Sequence, residues 1–236
     1  MSNISEIKHI GLIMDGNRRW AKAHGLLSYQ GHDKGTNVFI DVCDWCLQDG
    51  IKYLTVYAFS TENWQRSQIE VKHIFKLLEN FFIEYKDKCI EKGIQIRIIG
   101  ENSHFDKKTI KTIDDIENQT CSCNNLHVQI ALSYGGRNEI IRAAAKLAND
   151  VVIKHLSIND ITEDVFSSYL DTAGIPDVDM VIRTGGQNNR RLSNFLPWQT
   201  VYSELYFSDV LWPDFSREEF QKALEYYDTI TRTNGK

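Results

Sequence analysis

Short apolar runs rich in β-branched residues alternate along this chain with longer segments in which apolar positions recur every three or four residues. The first pattern is typical of buried strands, and the second is typical of amphipathic helices. Six strands are predicted, at residues 9–14, 52–58, 94–99, 126–132, 179–183 and 203–207.

Helical patterns fill most of the intervals between these strands. A broad apolar face predicts a helix over residues 70–92, with Gly93 as its C-terminal stop. A helical segment follows the first strand in stages as far as Asp49, where Gly50 is the stop. Further helices are predicted at residues 105–120 (a polar surface helix), 137–155, 162–170 and 216–229.

Strands separated by helices of this length require right-handed crossovers, which produce a mostly parallel sheet covered by helices. The sequence contains no repeat, linker or low-complexity segment. We therefore predict an α/β fold in which residues 1–236 form one domain around a mostly parallel six-stranded sheet flanked by helices.

Composition narrows the classes of function. The net charge of −5 argues against a nucleic-acid-binding protein, although an anionic small ligand remains compatible with a local cluster of arginines. No apolar run is long enough to span a bilayer and no apolar leader is evident, so a soluble cytoplasmic protein is expected. Of the five cysteines, only Cys43 and Cys46 have a zinc-like spacing, and they lie within a helical pattern. Reduced thiols are expected rather than a metal site.

Four predicted strand ends are followed by glycine, arginine and amide residues, in segments that begin at Asp15, Phe59, Ser133 and Arg183. Ligands of parallel α/β sheets bind beyond the carboxyl ends of the strands, so these segments are expected to meet at one edge. Glycines, free N–H groups at a helix start and arginine forks are typical of phosphate sites, and arginines from several loops favour more than one phosphorylated ligand. Asp15 would repel phosphate unless it held a Mg²⁺ that bridges to a diphosphate.

Each of these features also has an ordinary structural explanation. Asp15 and the two residues after it fit a turn at a helix start, and the arginines that follow fit solvated helix positions. The Gly135–Gly136 and Gly185–Gly186 pairs fit simple turns. The apolar face of the helix at 70–92 is equally what a core-facing helix requires. The coincidence of four such segments at one edge is what favours a binding site.

Several longer blocks resemble the cis-prenyltransferases, in particular those of the undecaprenyl diphosphate synthase type. In chain order they are Asp15-Gly-Asn-Arg-Arg-Trp-Ala-Lys, Gly31-His32, Tyr57-Ala-Phe-Ser-Thr-Glu-Asn-Trp, Tyr134-Gly-Gly-Arg, Ile182-Arg-Thr-Gly-Gly, and Arg191-Leu-Ser-Asn-Phe-Leu-Pro-Trp-Gln followed by Glu204-Leu-Tyr-Phe. Because the blocks are specific and span nearly the whole chain, chance is a poor explanation for them.

The resemblance implies an enzyme that extends an allylic diphosphate, such as farnesyl diphosphate, with isopentenyl diphosphate. Such an enzyme forms Z double bonds and releases pyrophosphate with the help of Mg²⁺. The implied product is a polyprenyl diphosphate such as undecaprenyl diphosphate, a lipid carrier for the cell wall in bacteria. The resemblance further implies a hydrophobic tunnel along the apolar face of residues 70–92 and a homodimer. Peripheral membrane contact at product release is also expected, although the sequence shows no amphipathic anchor.

The resemblance also implies roles for individual residues. Asp15 corresponds to the aspartate that handles Mg²⁺ and the allylic diphosphate, and Glu204 to a Mg²⁺ ligand contributed across a homodimer interface. Asn63 corresponds to the residue that assists proton removal; since an amide is a weak base, we expect it to position a phosphate oxygen or water that takes the proton. The implied substrate-binding residues are Gly16, Asn17, Arg18, Arg19, Trp20, His32, Ser60, Thr61, Glu62, Trp64, Arg66, Arg183, Arg191, Leu192 and Ser193, with Glu70 as a carboxylate beside the loop.

Three departures from the family pattern concern specificity. Ser28 stands where the family usually has an arginine ahead of Gly31-His32, the segment at 187–190 is longer than usual, and the C-terminal residues 231–235 differ. These departures leave two alternatives open. One is a short-chain or irregular prenyl diphosphate synthase of the same fold. The other is a non-catalytic accessory subunit, against which four retained residues argue: Asp15, Asn63, Arg183 and Glu204.

Overall fold

The computed structural model describes residues 7–186 and 190–230. The predicted differences at 187–189 and 231–235 lie outside the described residues. The strands are β1 (His9–Ile13), β2 (Tyr53–Ser60), β3 (Ile94–Ile99), β4 (Leu126–Tyr134), β5 (Met180–Arg183) and β6 (Glu204–Phe207). They form one sheet in the order β3-β4-β2-β1-β5-β6, and every neighbouring pair is parallel. The predicted α/β fold with a six-stranded parallel sheet is confirmed.

Helices connect the strands from β1 to β5, as the apolar periodicity predicts, whereas the described residues between β5 and β6 contain no helix. The helices are α1 (Asn17–Ala23), α2 (Ser28–Asp49), α3 (Gln68–Lys92), α4 (Lys107–Thr120), α5 (Gly136–Val152), α6 (Glu163–Ser167) and α7 (Arg217–Thr229), with 3₁₀ turns at Thr61–Gln65, Ile158–Asp160 and Trp212–Asp214. Gly50 and Gly93 end α2 and α3 in the left-handed conformation, as predicted. The staged helical segment is two helices, α1 and α2, with Gly25 at φ +68° between them.

Two predicted helices differ from the structure in ways that have local causes. Residues 105–120 are predicted as a polar surface helix, but α4 begins at Lys107 and buries Ile113 and Ile116 on its inner face. The side chain of Asp106 accepts a hydrogen bond from the Thr109 N–H and thereby fixes the start of this helix. The helix predicted at 162–170 is shorter, because Thr162 caps it and it ends at Ser167.

Alternating residues of the strands face two hydrophobic cores. Ile10, Leu12 and Ile182 belong to the larger core, which also contains residues of α2, α3, α4 and α7. Ile13 and Val181 belong to a smaller core that contains Phe195 and Leu196. Since successive side chains of a strand point to opposite faces, the two cores cover opposite faces of the sheet.

The strand register determines which segments meet. Ile13 of β1 lies beside Tyr57 of β2 and Arg183 of β5, and Ser60 lies beside Tyr134 of β4. The segments that follow β1, β2, β4 and β5 therefore leave the sheet at one edge, as predicted. Within the described ranges, no helix has the length and apolar character that a bilayer span demands.

Candidate active site

A cavity of about 1250 Å³ lies at this edge of the sheet and continues between β2, β4, α2 and α3. One part of its wall is polar and comes from the segments after β1, β2 and β5. The other part is apolar and includes Phe39, Ile74, Leu78, Phe81 and Ile130. The predicted site residues that line the cavity are Asp15, Gly16, Asn17, Arg18, Arg19, His32, Ser60, Glu62, Asn63, Arg66, Arg183 and Ser193.

Asp15 lies between two guanidinium groups. Its Oδ1 accepts a hydrogen bond from Arg19 Nη2 at 3.1 Å, and its Oδ2 accepts one from Arg183 Nη2 at 3.0 Å. The Arg183 side chain is only 6% exposed, so the carboxylate neutralises a buried cation. Arg183 also donates through Nη1 to Ser193 Oγ at 2.8 Å and to the Arg191 carbonyl. The segment after β5 is thereby held against the end of β1.

Several buried polar atoms of the cavity wall have no hydrogen-bond partner among residues 7–186 and 190–230. They belong to Asn17 (Oδ1), Ser28 (Oγ), His32 (Nε2) and Arg183 (Nε), and all four residues line the cavity. Buried polar groups in folded proteins are nearly always hydrogen-bonded. Because these residues line a cavity, the atoms are available to hydrogen-bond a polar ligand or water there.

Three side chains, of two arginines and a histidine, lie close to the carboxylate of Glu70 at the start of α3. Arg66 Nη1 donates to Glu70 Oε1 at 3.1 Å, and Arg18 Nε and His32 Nε2 lie at 3.8 and 3.7 Å from the same oxygen. Burial lowers the pKa of His32 to about 4, and the positive charge of Arg66 adds to this effect, while Glu70 opposes it. His32 is therefore neutral near pH 7, and its ring offers a ligand a hydrogen bond rather than a charge.

The turn after β2 brings Asn63 to the cavity. The Ser60 N–H donates to Asn63 Oδ1 at 3.1 Å and so closes the Thr61–Gln65 turn. Trp64 fixes the turn to the sheet, because its Nε1 donates to Ser133 Oγ at 2.9 Å and its ring packs on Phe59.

The structure does not place every predicted site residue at the cavity wall. Trp20 stacks on His24 and donates to Asp214 Oδ1 at 2.6 Å, so its side chain is engaged outside the cavity. Thr61 and Trp64 support the turn, Leu192 packs on the smaller core, and the exposed Arg191 contacts Ser193 Oγ through its Nε at 3.3 Å. The substrate roles of these residues stay predictions.

Glu204 lies at the other end of the sheet. It begins β6 and pairs with Met180, which in turn pairs with Ile10, whereas Asp15 follows the opposite end of β1. A single chain therefore does not bring Glu204 to Asp15. A metal ligand at this position would have to serve another copy of the chain.

The two glycine pairs differ in their roles. A Cβ on Gly185, whose φ is +111°, would lie 2.6 Å from Arg19 Nη2 and 3.0 Å from the Asp15 Cβ, so the backbone needs a glycine to approach the cluster. None of the four glycines lines the cavity itself. A Cβ on Gly136 would lie 1.9 Å from Pro197 Cδ, which makes this pair a crossing point of chain segments rather than part of a phosphate cradle.

Sequence reasoning passed over some residues of the cavity wall. Lys22 and Asn194 line it, and both stand inside motif blocks without having been given a role. Phe39 lines the apolar part, but the periodicity of α2 does not distinguish a cavity residue from a core residue.

The residues of the site fit a Mg²⁺ ion whose remaining ligands would be phosphate oxygens of a substrate. Among the residues that the structure describes, no cluster of three or more histidine, cysteine or carboxylate side chains could hold a metal alone. Mg²⁺ is commonly bound by one or two carboxylates together with substrate phosphates. The Asp15 carboxylate at the cavity, beside arginines that match phosphate oxygens, supplies such a half-site.

Comparisons with known proteins agree with this geometry. A family model described as putative undecaprenyl diphosphate synthase matches residues 13–235. An isoprenyl transferase of Aquifex pyrophilus is 44% identical and the match covers 97% of this chain and 96% of the relative. The crystal structure of lavandulyl diphosphate synthase from Lavandula x intermedia in complex with dimethylallyl diphosphate is similar with a TM-score of 0.93 and 34% identity, covering 98% of each chain. A probable undecaprenyl diphosphate synthase from Campylobacter jejuni is similar with a TM-score of 0.80 and 35% identity, covering 98% of this chain and 99% of that one. The chain therefore belongs to the undecaprenyl diphosphate synthase family of prenyltransferases.

Proposed function

We propose that this protein condenses isopentenyl diphosphate onto an allylic prenyl diphosphate, with Z geometry and release of pyrophosphate, to make a polyprenyl diphosphate such as undecaprenyl diphosphate. The observation that carries the proposal is the continuity of one cavity, which joins the arginine-rich wall around Asp15 to the apolar wall formed by residues such as Phe81 and Ile130. A diphosphate head and a hydrocarbon tail require these two environments side by side.

The polar wall supports departure of the diphosphate. Arg19 and Arg183 are paired with Asp15, and both arginines match phosphate oxygens in geometry. Binding of the two substrates would draw Arg19 onto the allylic diphosphate and Arg183 onto the diphosphate of isopentenyl diphosphate, and would leave the carboxylate to hold Mg²⁺. When bound, Mg²⁺ supplies positive charge that stabilises the leaving pyrophosphate. Arg183, Arg191 and Ser193 are proposed to hold isopentenyl diphosphate, and Asn63 to position the group that takes its proton.

The size of the cavity bears on product length. At about 1250 Å³ it exceeds the roughly 300–1,000 Å³ of typical small-molecule sites. This favours a long polyprenyl tail along Ile74, Leu78 and Phe81 of α3. A short-chain or irregular synthase is the second candidate, because of the similarity to lavandulyl diphosphate synthase and because Ser28 offers a small hydroxyl at the cavity wall that has no partner among the described residues.

A product assay tests these alternatives. The purified protein is incubated with isopentenyl diphosphate and, in turn, dimethylallyl, geranyl, farnesyl and geranylgeranyl diphosphate, with Mg²⁺ or with a chelator. We expect long polyprenyl diphosphates with Mg²⁺ and none with the chelator. Short or branched products would establish the second candidate. Absence of condensation with every primer would refute the enzymatic proposal, and activation of a catalytic partner would then establish an accessory subunit.

A homodimer is the proposed assembly. The edge strand β6 and the residues before it expose apolar side chains, with Val201 67% exposed, Tyr202 93% and Leu205 37%. An interface there would bury these side chains and place Glu204 near a second copy. Light scattering should show a dimer. Tyr202→Glu should weaken it, whereas Ile158→Glu, at an exposed residue on another segment, should not.

The proposed location is the cytoplasm, with peripheral membrane contact when product leaves. All five cysteines are free, which is typical of reducing compartments. Near the cavity, Leu27 is 61% exposed and Ile69 is 83% exposed, while Leu26 lines the wall itself. Flotation with phosphatidylglycerol vesicles tests the contact; Leu27→Ser with Ile69→Ser should reduce binding more than the matched pair Ile141→Ser with Ile158→Ser.

A further inference from the structure

Asn194 lies where three segments of the candidate site meet. It follows Ser193 in the segment after β5 and lines the cavity. Its φ is +67°, in the left-handed region that asparagine enters more readily than most residues. Its side-chain Oδ1 accepts from the Arg137 N–H at 2.9 Å, and its carbonyl accepts from the Gly136 N–H at 2.8 Å. Asn194 is thereby fixed to the first turn of α5.

The nitrogen of the same side-chain amide contacts the Thr61–Gln65 turn, which contains Asn63. Asn194 Nδ2 donates to Glu62 Oε1 at 3.4 Å, although the two residues are 132 positions apart in the sequence. The neighbouring Ser193 accepts from Arg183 Nη1. One side chain therefore links the segment held by Arg183 to the Thr61–Gln65 turn.

The packing around Asn194 leaves no room for a side chain at position 135. A Cβ on Gly135 would lie 2.7 Å from Thr61 Oγ1 and 3.0 Å from Asn194 Nδ2. Gly135 belongs to the Tyr134-Gly-Gly-Arg motif, whose glycines do not line the cavity. The glycine permits the contact between the two segments, and the Asn194 amide supplies its hydrogen bonds.

We propose that Asn194 is a positioning residue, which sets the distance between the Asn63 turn and the Arg183–Ser193 pair. The inference rests on the proposed condensation reaction. If isopentenyl diphosphate is held by Arg183 and Ser193 while Asn63 serves proton removal, their separation determines how well the reacting atoms are aligned. Loss of the link should therefore lower kcat more than it changes the KM of the allylic substrate.

A hydrogen-bond polarity swap tests the link. Asn194→Asp keeps an acceptor for the Arg137 N–H and tolerates positive φ, but it turns a carboxylate oxygen towards Glu62. We expect kcat to fall about tenfold or more. Glu62→Gln alone retains an acceptor for the Asn194 amide. In the double variant the new amide at position 62 can donate to the new carboxylate at position 194, which restores the link with its polarity reversed. We expect the double variant to recover to within about threefold of Glu62→Gln.

The outcomes separate the inference from the proposed function. If the wild type condenses the substrates but the double variant stays as slow as Asn194→Asp, or if Asn194→Asp is as fast as the wild type, the positioning role is wrong. If the wild type shows no condensation, both proposals fail. Melting temperatures identify a misfolded variant. Should Asn194→Asp not fold, Asn194→Gly, which accepts the same φ, must lower kcat without the Glu62→Gln rescue; an unchanged kcat would overturn the inference.

Discussion

Two polar clusters lie at the same edge of the sheet, and they differ in how completely the protein encloses their carboxylates. In the Glu139 network (Tyr134, Glu139, Arg142, Asp171 and Gln199), Glu139 is 1% exposed and accepts from the Tyr134 hydroxyl at 2.5 Å, the Asp171 N–H at 2.9 Å and Gln199 Nε2 at 3.1 Å. Arg142 binds the Asp171 carboxylate through both terminal nitrogens. In the Asp15 cluster (Asp15, Arg19, Arg183 and Ser193), the carboxylate faces the cavity, and Arg183 Nε has no hydrogen-bond partner in the part of the chain that the structure describes.

The difference separates a stabilising network from a binding site. The Glu139 carboxylate has donors on both oxygens, so removing it would leave several buried groups unsatisfied. Each cluster has one buried polar atom without a hydrogen-bond partner among the described residues, Arg183 Nε in one and Gln199 Oε1 in the other, but only the Asp15 cluster lines the 1250 Å³ cavity. Burial raises the pKa of Glu139, the direction expected for a carboxylate enclosed by protein. Substitutions in the Asp15 cluster should therefore mainly lower turnover, whereas substitutions in the Glu139 network should mainly lower the free energy of unfolding.

Asp15→Ala should have the largest effect on turnover. It removes the carboxylate proposed to handle Mg²⁺ and the diphosphate, and we expect kcat/KM to fall about 10³-fold or more. The fold should persist with a smaller loss of stability than a fully buried pair would show, since Asp15 is partly exposed and Arg183 retains Ser193 Oγ and the Arg191 carbonyl as partners. Steady-state kinetics and a melting curve check both parts, with the exposed Asp41→Ala as control. Near-normal turnover would remove Asp15 from the mechanism.

Glu139→Ala should show the opposite pattern. It deprives Tyr134, Gln199 and the Asp171 N–H of their acceptor, so the free energy of unfolding should fall by about 2–4 kcal/mol. Urea titration measures this loss, and Glu139→Gln should recover part of it. A loss no greater than that of Asp15→Ala would mean that the two clusters do not differ as described.

Arg183→Lys tests whether the two diphosphate substrates bind to different residues of the Asp15 cluster. Lysine keeps the charge but loses the planar fork, so we expect the KM of isopentenyl diphosphate to rise about 10- to 100-fold. The KM of the allylic diphosphate should change by no more than about threefold. Initial rates with each substrate varied in turn decide this; equal increases would argue against separate sites for the two diphosphates.

The smallest expected effect is a pH dependence of stability at the cavity wall. His32 has its pKa lowered to about 4 from an ordinary 6.5, chiefly by burial. A neutral His32 contributes stability that is complete above pH 6.5 and is lost as the pH falls towards 4, since the unfolded chain takes up the proton first. Between pH 7 and about 5.5 the loss should be on the order of 1 kcal/mol. Urea titrations of the wild type and His32→Gln should differ in slope against pH, and parallel slopes would contradict this.

Much of the architecture follows from local patterns. The residues of β3 are predicted to both ends, and the stops at Gly50 and Gly93 are predicted because a left-handed residue ends a helix most easily as glycine. The start of α4 is less predictable, since it depends on a single capping carboxylate, Asp106. The break between α1 and α2 falls at Gly25, whose positive φ of 68° ends the first helix locally, in the same way as Gly50 and Gly93.

By itself, the sequence determined a parallel α/β sheet and the convergence of four strand-end segments, because hydrophobic periodicity is local and parallel strands end at one edge. Only the tertiary structure decided which polar groups satisfy each other. Asp15 and Arg183 are 168 positions apart in the sequence, and Asn194 and Glu62 are 132 positions apart. Over such separations, the local hydrophobic and polar pattern does not predict which side chains will be hydrogen-bonded to each other. The tertiary structure also decided that Trp20 turns towards Asp214 and that Glu204 lies at the far end of the sheet, since packing and register, not motif membership, set where a side chain lies.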